Sequence, residues 1–126
     1  MSRGTILVIE DNPSNLLLIS TVLRRAGYRV VEADTAASGL EAARSEPPAL
    51  ILMDISLPGM DGLEATRILK GDKLTAGIPV VALTAHAMVG DEERALDAGC
   101  DGYLTKPIDS RTVVAAIDGV LARHQR

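Results

Sequence analysis

Residues 49–54 read ALILMD, an apolar run that ends in an aspartate, and the turn sequence PGMDG follows at 58–62. An uninterrupted run of this length is typical of a strand that is covered on both faces of a parallel sheet. Residues 5–9, TILVI, form a second such run, which is followed by Glu10 and Asp11. If the two strands are neighbours, three carboxylates meet at one sheet edge, where each raises the proton affinity of the others. The sequence therefore predicts a functional site at this edge.

Short apolar runs alternate with longer stretches of helical periodicity along the whole chain. Gly27 and Gly99 lie where glycines commonly end helices. Five such units predict a doubly wound α/β fold, (βα)5, with a five-stranded parallel sheet between two layers of helices. Because crossovers are right-handed, we expect the flavodoxin-like strand order 2-1-3-4-5. The predicted strands are 5–10, 29–34, 49–54, 79–84 and 102–105, and the predicted helices are 14–26, 36–45, 62–70, 90–98 and 110–123.

The composition is that of an ordinary globular domain, which narrows the function classes. The chain has 126 residues, of which 47% are hydrophobic and 24% charged, so we expect one domain over 1–126. The net charge is −4 and the basic residues are scattered, which argues against direct binding of nucleic acid. No apolar run approaches the length of a membrane span. The single cysteine, Cys100, suits a reducing compartment, so we expect a cytoplasmic protein.

Polar residues follow the first, third, fourth and fifth predicted strands, and the predicted topology brings them to one edge of the sheet. These residues are Glu10, Asp11, Asp54, Thr84 and Lys106. Three carboxylates without histidine or cysteine favour a hard cation, and Mg²⁺ typically binds one or two protein carboxylates together with a phosphate oxygen. We expect Asp11 and Asp54 to be direct ligands of Mg²⁺ and Glu10 to hold a metal-bound water.

An ammonium and a hydroxyl that face the same cation predict a phosphate site. Lys106 can pair with a phosphate oxygen, and Thr84 offers one hydroxyl donor. Phosphoryl transfer depends mainly on positioning and charge neutralisation, and a carboxylate can act as the nucleophile and form an acyl phosphate. Asp54 is the best candidate for this nucleophile, because it lies centrally, at the end of the strand that faces the switch point of the sheet.

The chain resembles the receiver domain of bacterial two-component response regulators over essentially its whole length. The motifs that carry the resemblance are VIEDN at 8–12, LMD at 52–54, LPGMDG at 57–62, ALTA at 82–85 and YLTKP at 103–107. These motifs are most similar to those of single-domain regulators and of the receivers of hybrid histidine kinases. A chemotaxis member of this family is an example of the 2-1-3-4-5 strand order, so the fold and family expectations are not independent.

The resemblance implies that Asp54 is the phospho-acceptor, which receives a phosphoryl group from a histidine kinase or a histidine phosphotransfer protein. Glu10 and Asp11 then form the acidic pair, with Asp11 a direct Mg²⁺ ligand and the backbone carbonyl of Ser56 another. We expect no catalysis beyond the protein's own phosphorylation and dephosphorylation, and His86 is expected to be a loop residue that screens the site.

The resemblance also implies a switch. Thr84 and Lys106 are expected to contact the phosphoryl group, Tyr103 is expected to change rotamer on activation, and the Lys106–Pro107 bond is expected to be cis. The fourth predicted helix has few large apolar residues, which makes it a plausible moving part. We therefore expect output to a protein effector through the face formed by helix 4, strand 5 and helix 5. The oligomeric state is expected to be a monomer or a weak, phosphorylation-dependent dimer.

The first helix carries a predicted docking surface. At 100° per residue, its predicted core-facing residues are Leu18, Ile19, Val22, Leu23 and Ala26. Leu17 is expected to point away from the core, and Leu16 to lie at the boundary. Because these leucines follow the acidic pocket closely in the chain, we expect them to help dock a helical domain that carries the phosphodonor histidine.

Three other functions share parts of this pattern. A haloacid-dehalogenase-like phosphatase also uses an aspartyl phosphate, but it carries an acid two residues after the nucleophile, where this chain has Ser56. A flavin-binding module of the same fold needs aromatic residues, and the chain has two tyrosines and neither phenylalanine nor tryptophan. A degenerate, unphosphorylated receiver that acts as a binding scaffold would not need the full set of five site residues.

Overall fold

The computed structural model describes residues 4–57, 59–84 and 90–124. The strands in these ranges are β1 (Thr5–Ile9), β2 (Arg29–Ala33), β3 (Leu50–Asp54), β4 (Val80–Thr84) and β5 (Gly102–Thr105). The helices are α1 (Pro13–Arg25), α2 (Ala36–Ser45), α3 (Gly62–Gly71), α4 (Asp91–Ala98) and α5 (Ser110–His124). Every predicted element is present, and each end lies within one residue of its prediction. The predictions for Pro58 and His86 concern positions outside the described residues.

The five strands form one parallel sheet in the order β2-β1-β3-β4-β5, which confirms the predicted order. β1 and β3 are therefore neighbours, with Ile9 paired to Met53. β3 and β4 are neighbours on the other side, with Asp54 paired to Leu83. This register places the residues that follow β1 and the last residue of β3 side by side at the carboxyl edge of the sheet.

The sheet is buried between two aliphatic cores, so the strands that carry the site residues are packed on both faces. Every residue of β3 and β4 is buried, as the unbroken apolar runs predict. One face of the sheet packs against the apolar residues of α2, α3 and α4, and the other packs against those of α1 and α5. No helix within the described ranges is long and apolar enough to cross a bilayer.

Helix α1 places Ile19, Val22, Leu23 and Ala26 against the core as predicted, and differs from the prediction at Leu18. Leu18 was expected to face the core, but 46% of its surface is exposed, and Leu17 is 66% exposed. Leu16 is half-buried at the boundary, as predicted, and packs against the core beside buried Ile19. The core-facing side also includes Ser20, which is buried because its hydroxyl donates a hydrogen bond of 2.6 Å to Glu32. Serine is a polar residue that sequence reasoning assigns to the solvent side. This assignment moved the predicted core-facing side away from Ser20 and toward Leu18.

Helix α4 is weakly anchored, as its sequence suggests. Ala95 and Ala98 are its buried residues among the side chains that the structure describes, whereas Leu96 is 51% exposed. Its N-cap is Gly90, in a left-handed conformation and without a side-chain capping hydrogen bond. Two buried methyl groups contribute far less to the stability of a helix than the leucines and isoleucines of α1 or α3.

Candidate functional site

The three predicted carboxylates converge at the carboxyl edge of the sheet. Glu10 follows β1 and is fully buried, Asp54 ends β3 with 2% of its surface exposed, and Asp11 is exposed at the rim. One carboxylate oxygen from each residue lies within 4.8 Å of the other two. Since oxygen ligands at this spacing suit a hard divalent cation, the donor set fits the Mg²⁺ that the sequence predicts.

The ammonium of Lys106 reaches this acidic cluster from the end of β5. Its Nζ lies 2.7 Å from Glu10 Oε1, an ion pair whose angles miss those of a hydrogen bond. The same Nζ donates a hydrogen bond of 3.2 Å to Asp54 Oδ2. The backbone N–H of Lys106 donates to Thr84 O at 2.7 Å, and the Lys106–Pro107 peptide bond is cis, as expected. The loop after β5 thus directs a single positive charge between two buried carboxylates.

Backbone amides hold the two buried carboxylates from the other side. The N–H of Ser56 donates to Asp54 Oδ1 at 2.9 Å, and the N–H of Asn12 donates to Glu10 Oε2 at 3.3 Å. Asn12 also caps α1, because its side chain accepts a hydrogen bond from the N–H of Asn15. Each acid therefore has a fixed orientation that comes from the loop immediately after its strand.

The pKa values of Glu10 and Asp54 shift in opposite directions. Burial, and after it the hydrogen bond and negative charge of Asp54, outweigh the contact with Lys106 and together raise the pKa of Glu10 to about 7. Burial also pushes the pKa of Asp54 upward, but hydrogen bonds from Glu10, the Ser56 amide and Lys106 outweigh burial and leave it lowered. Between the lowered pKa of Asp54 and about pH 7, the pair therefore carries one proton on Glu10 and one negative charge on Asp54.

Lys106 remains the counter-charge to this pair. Burial lowers the pKa of its ammonium, but the contacts with Glu10 and Asp54 more than compensate and raise it above its usual value. The positive charge at the site is therefore permanent under ordinary conditions.

The predicted switch residues lie on the face of the sheet that is covered by α2, α3 and α4. Thr84 is the last residue of β4 and is buried, and Tyr103 on β5 is half-buried and packs against that core. Ala82 pairs with Tyr103 in the sheet and belongs to the same core. Because alternate residues of a strand share a face, Thr84 and Tyr103 lie on the same side. The structure thus brings both residues to one face, beside weakly anchored α4.

Sequence reasoning missed Gly62, the first residue of α3, which packs on the backbone of Asp54 and Ile55. The PGMDG turn marks this glycine only as a turn former. A contact between a helix start and the end of a strand is tertiary, so no local signal in the sequence reveals it.

The response regulator receiver domain family matches residues 6–118. The chain belongs to this family. It is therefore a receiver domain of two-component signalling, as the resemblance of its motifs implied.

Two curated relatives show how such receivers occur in longer and shorter proteins. The receiver is 40% identical over 117 residues to the polar-differentiation response regulator DivK of Brucella ovis, with 93% of this chain and 95% of DivK covered. It is 39% identical over 126 residues to the sensor histidine kinase GacS of Pseudomonas protegens, with 95% of this chain covered. The receiver spans only 14% of the length of GacS.

Solved structures show the same fold. The receiver domain of sensor histidine kinase PA1611 from Pseudomonas aeruginosa superposes with a TM-score of 0.87 and 35% identity, covering 94% of this receiver and 98% of that chain. That structure has a magnesium ion coordinated in its active site cleft. A CheY-like receiver domain protein from Methanospirillum hungatei superposes with a TM-score of 0.88 and 32% identity, with 98% of each chain covered.

The raised pKa of Glu10 predicts an unusual pH dependence of stability for the metal-free receiver. Between pH 4.5 and about 7, native Glu10 keeps a proton that the unfolded chain has lost. The free energy of unfolding should therefore fall as pH rises through this window, by about 1–3 kcal/mol. Urea unfolding at pH 5 and pH 8 with a chelator present measures this change.

The Glu10→Gln variant should lose most of this difference between the two pH values, because its side chain does not titrate. Glu41→Gln, on the exposed side of α2, is the matched control and should keep the wild-type difference. Equal pH dependence of wild type and Glu10→Gln would show that Glu10 does not hold this proton.

Proposed function

We propose that this receiver is a phospho-acceptor, and that Asp54 takes a phosphoryl group from the phosphohistidine of a histidine kinase or phosphotransfer protein. The observation that carries the proposal is the buried, ionised Asp54 carboxylate within 3.2 Å of the Lys106 ammonium and inside an acidic cluster. A buried carboxylate with a fixed counter-charge is oriented for attack and does not require a separate base, because it is already deprotonated.

The transfer step needs few groups. An oxygen of Asp54 attacks the phosphorus, the O–P bond forms as the N–P bond of the phosphohistidine breaks, and the electron pair of that bond stays on the imidazole nitrogen. Lys106 neutralises charge on the phosphoryl oxygens, and the Thr84 hydroxyl donates a hydrogen bond to one of them. Beyond its own phosphorylation and dephosphorylation, the receiver is proposed to catalyse no reaction.

Asp11, Asp54 and the backbone carbonyl of Ser56 would hold Mg²⁺, with Glu10 bonded to a metal-bound water. When bound, Mg²⁺ supplies positive charge that neutralises phosphoryl oxygens during the transfer. The hard oxygen donors of the cluster, which lie within 4.8 Å of one another, support this assignment. Because Glu10 binds a proton up to about pH 7, the cation and this proton compete, and Mg²⁺ binding should strengthen as pH rises.

We infer that the signal leaves through the face formed by α4, β5 and α5. A hydrogen bond from Thr84 to the phosphoryl group draws this side chain toward Asp54, which frees space for Tyr103 on the same face of the sheet. Helix α4 rests on two alanines, so small changes beneath it can shift its equilibrium position. The exposed side chain of Leu96 gives this face an apolar contact for a protein effector.

The donor domain is proposed to dock on the start of α1. Leu17 is 66% exposed, and α1 begins two residues after Asp11 at the site. Leu16 supports this surface from the core side, and Leu18, which is 46% exposed, extends it. Two adjacent exposed leucines beside the acceptor suit the apolar face of a helical domain that presents its histidine to Asp54.

The acceptor is tested with intact-mass measurement after incubation with Mg²⁺ and a small acyl phosphate. Wild type should gain the mass of one phosphoryl group, and Asp54→Asn should gain none, because an amide is not a nucleophile for this transfer. Asp61→Asn, which alters an exposed cap of α3, is the control and should be modified like wild type. A full adduct on Asp54→Asn would move the acceptor to another residue, and no adduct on wild type would favour a scaffold.

The docking surface is tested by phosphotransfer from the cognate phosphohistidine protein. Leu17→Arg should slow this transfer at least tenfold, since a charge replaces an apolar contact, while phosphorylation by the small acyl phosphate stays unchanged. Leu74→Arg changes an equally exposed leucine beyond the far end of α3 and should transfer at the wild-type rate. If Leu17→Arg accepts the phosphoryl group as fast as Leu74→Arg, the donor docks elsewhere.

A further inference from the structure

Gly62 lies closer to the acceptor strand than a side chain allows. A Cβ atom at this position would lie 2.4 Å from Asp54 O, 2.6 Å from Ile55 Cα and 2.9 Å from Asp54 C. Real Cβ atoms essentially never approach other heavy atoms below 3.0 Å. All three of these atoms belong to the backbone, so no rotamer change can relieve the contact. Gly62 has no positive φ, so its place requires a missing side chain and not an unusual backbone conformation.

The peptide that Gly62 covers is the one that carries the acceptor. The Ile55 N–H on one side of this peptide donates to Leu83 O of β4 at 3.0 Å. The Gly62 N–H donates to Ile55 O at 3.4 Å from the helix side. The Asp54–Ile55 peptide is thus bonded to β4 through its N–H, and the next peptide, Ile55–Ser56, is bonded to the first residue of α3 through its carbonyl.

Helix α3 cannot retreat freely from this contact. Leu63 and Leu69 are buried beneath it, with 4% and 2% of their surfaces exposed. Buried Thr66 donates a hydrogen bond of 2.7 Å to Gly62 O, which holds the first turn in place. Moving the helix outward would open the core, so an added methyl group must displace the acceptor peptide instead.

We propose that Gly62 is a positioning residue for the acceptor: without a Cβ, it lets α3 rest on the Asp54–Ile55 peptide and sets the position of the Asp54 carboxylate. This inference rests on the proposed function. The same peptide leads directly into Ser56, whose amide orients Asp54 and whose carbonyl is the proposed Mg²⁺ ligand. Gly62 therefore sets the positions of the nucleophile and of this ligand together.

The test compares Gly62→Ala with Gly71→Ala, because both glycines belong to α3 and a Cβ at Gly71 would meet nothing within 4 Å. The contact at Gly62 must grow from 2.4 Å to at least 3.0 Å, which displaces the acceptor peptide. Displacements of this size in a reacting group cost about tenfold or more in rate. We expect at least a tenfold slower phosphorylation by a small acyl phosphate for Gly62→Ala, and a change within about twofold for Gly71→Ala.

Two further readouts separate positioning from mere loss of stability. Calorimetric titration with Mg²⁺ should show weaker binding by Gly62→Ala than by Gly71→Ala. The slower rate should persist at saturating Mg²⁺ and in samples that are fully folded by urea titration, because it reflects the position of Asp54. A folded Gly62→Ala variant that is phosphorylated within twofold of wild type would overturn the inference and leave the proposed function intact. Failure of wild type to be phosphorylated would instead overturn the proposed function.

A second matched pair decides the question if Gly62→Ala does not fold. Thr66→Val removes the hydroxyl that holds Gly62, whereas Thr75→Val removes an equally buried hydroxyl that donates 2.7 Å to Leu69 O near the other end of α3. Phosphorylation of Thr66→Val should be at least threefold slower than that of Thr75→Val. Equal rates for these two variants would contradict the positioning role of Gly62.

Discussion

The enforced proximity of two buried carboxylates is the constraint on which this receiver depends. β1 and β3 are neighbours, and their register brings Glu10 and Asp54 together where water is excluded. Two negative charges in such a place repel strongly, so below about pH 7 the pair keeps one proton, on Glu10, and Lys106 balances the remaining charge. The electrostatic arrangement is thus a consequence of strand order, and a proton or a cation at Glu10 stabilises it.

This arrangement explains why so few groups serve the proposed chemistry. A bound cation would neutralise the cluster in place of the proton on Glu10. The negative charge of a phosphoryl group would then be balanced by Lys106, which already lies beside Asp54. Thr84 ends the neighbouring strand, so the proposed phosphorylation of Asp54 would act directly on the face that carries Tyr103. Helix α3 contributes rigidity at Gly62, whereas α4 is weakly anchored. In the proposed function, Asp54 is therefore positioned by α3, while the weakly anchored α4 can shift in response.

Sequence patterns predicted the parts of the molecule that follow from periodicity and topology. The unbroken apolar runs of β3 and β4 marked buried parallel strands, and the strand order then placed Lys106 beside Asp54 although 52 residues separate them. Sequence patterns did not predict the features that depend on tertiary contacts. Ser20 is buried through a hydrogen bond to Glu32, which sequence polarity cannot reveal. The backbone contact of Gly62 depends on how α3 packs against the end of β3, which the local turn sequence does not indicate.

The most direct test of the central claim is a crystal structure of the receiver with Mg²⁺ and fluoroberyllate, a mimic of the phosphoryl group. We expect the fluoroberyllate on an Asp54 oxygen and the ion bound by Asp11, Asp54 and the Ser56 carbonyl. Lys106 Nζ and the Thr84 hydroxyl should contact the fluorine atoms. Fluoroberyllate on another residue, or an ion bound away from the acidic cluster, would contradict the claim.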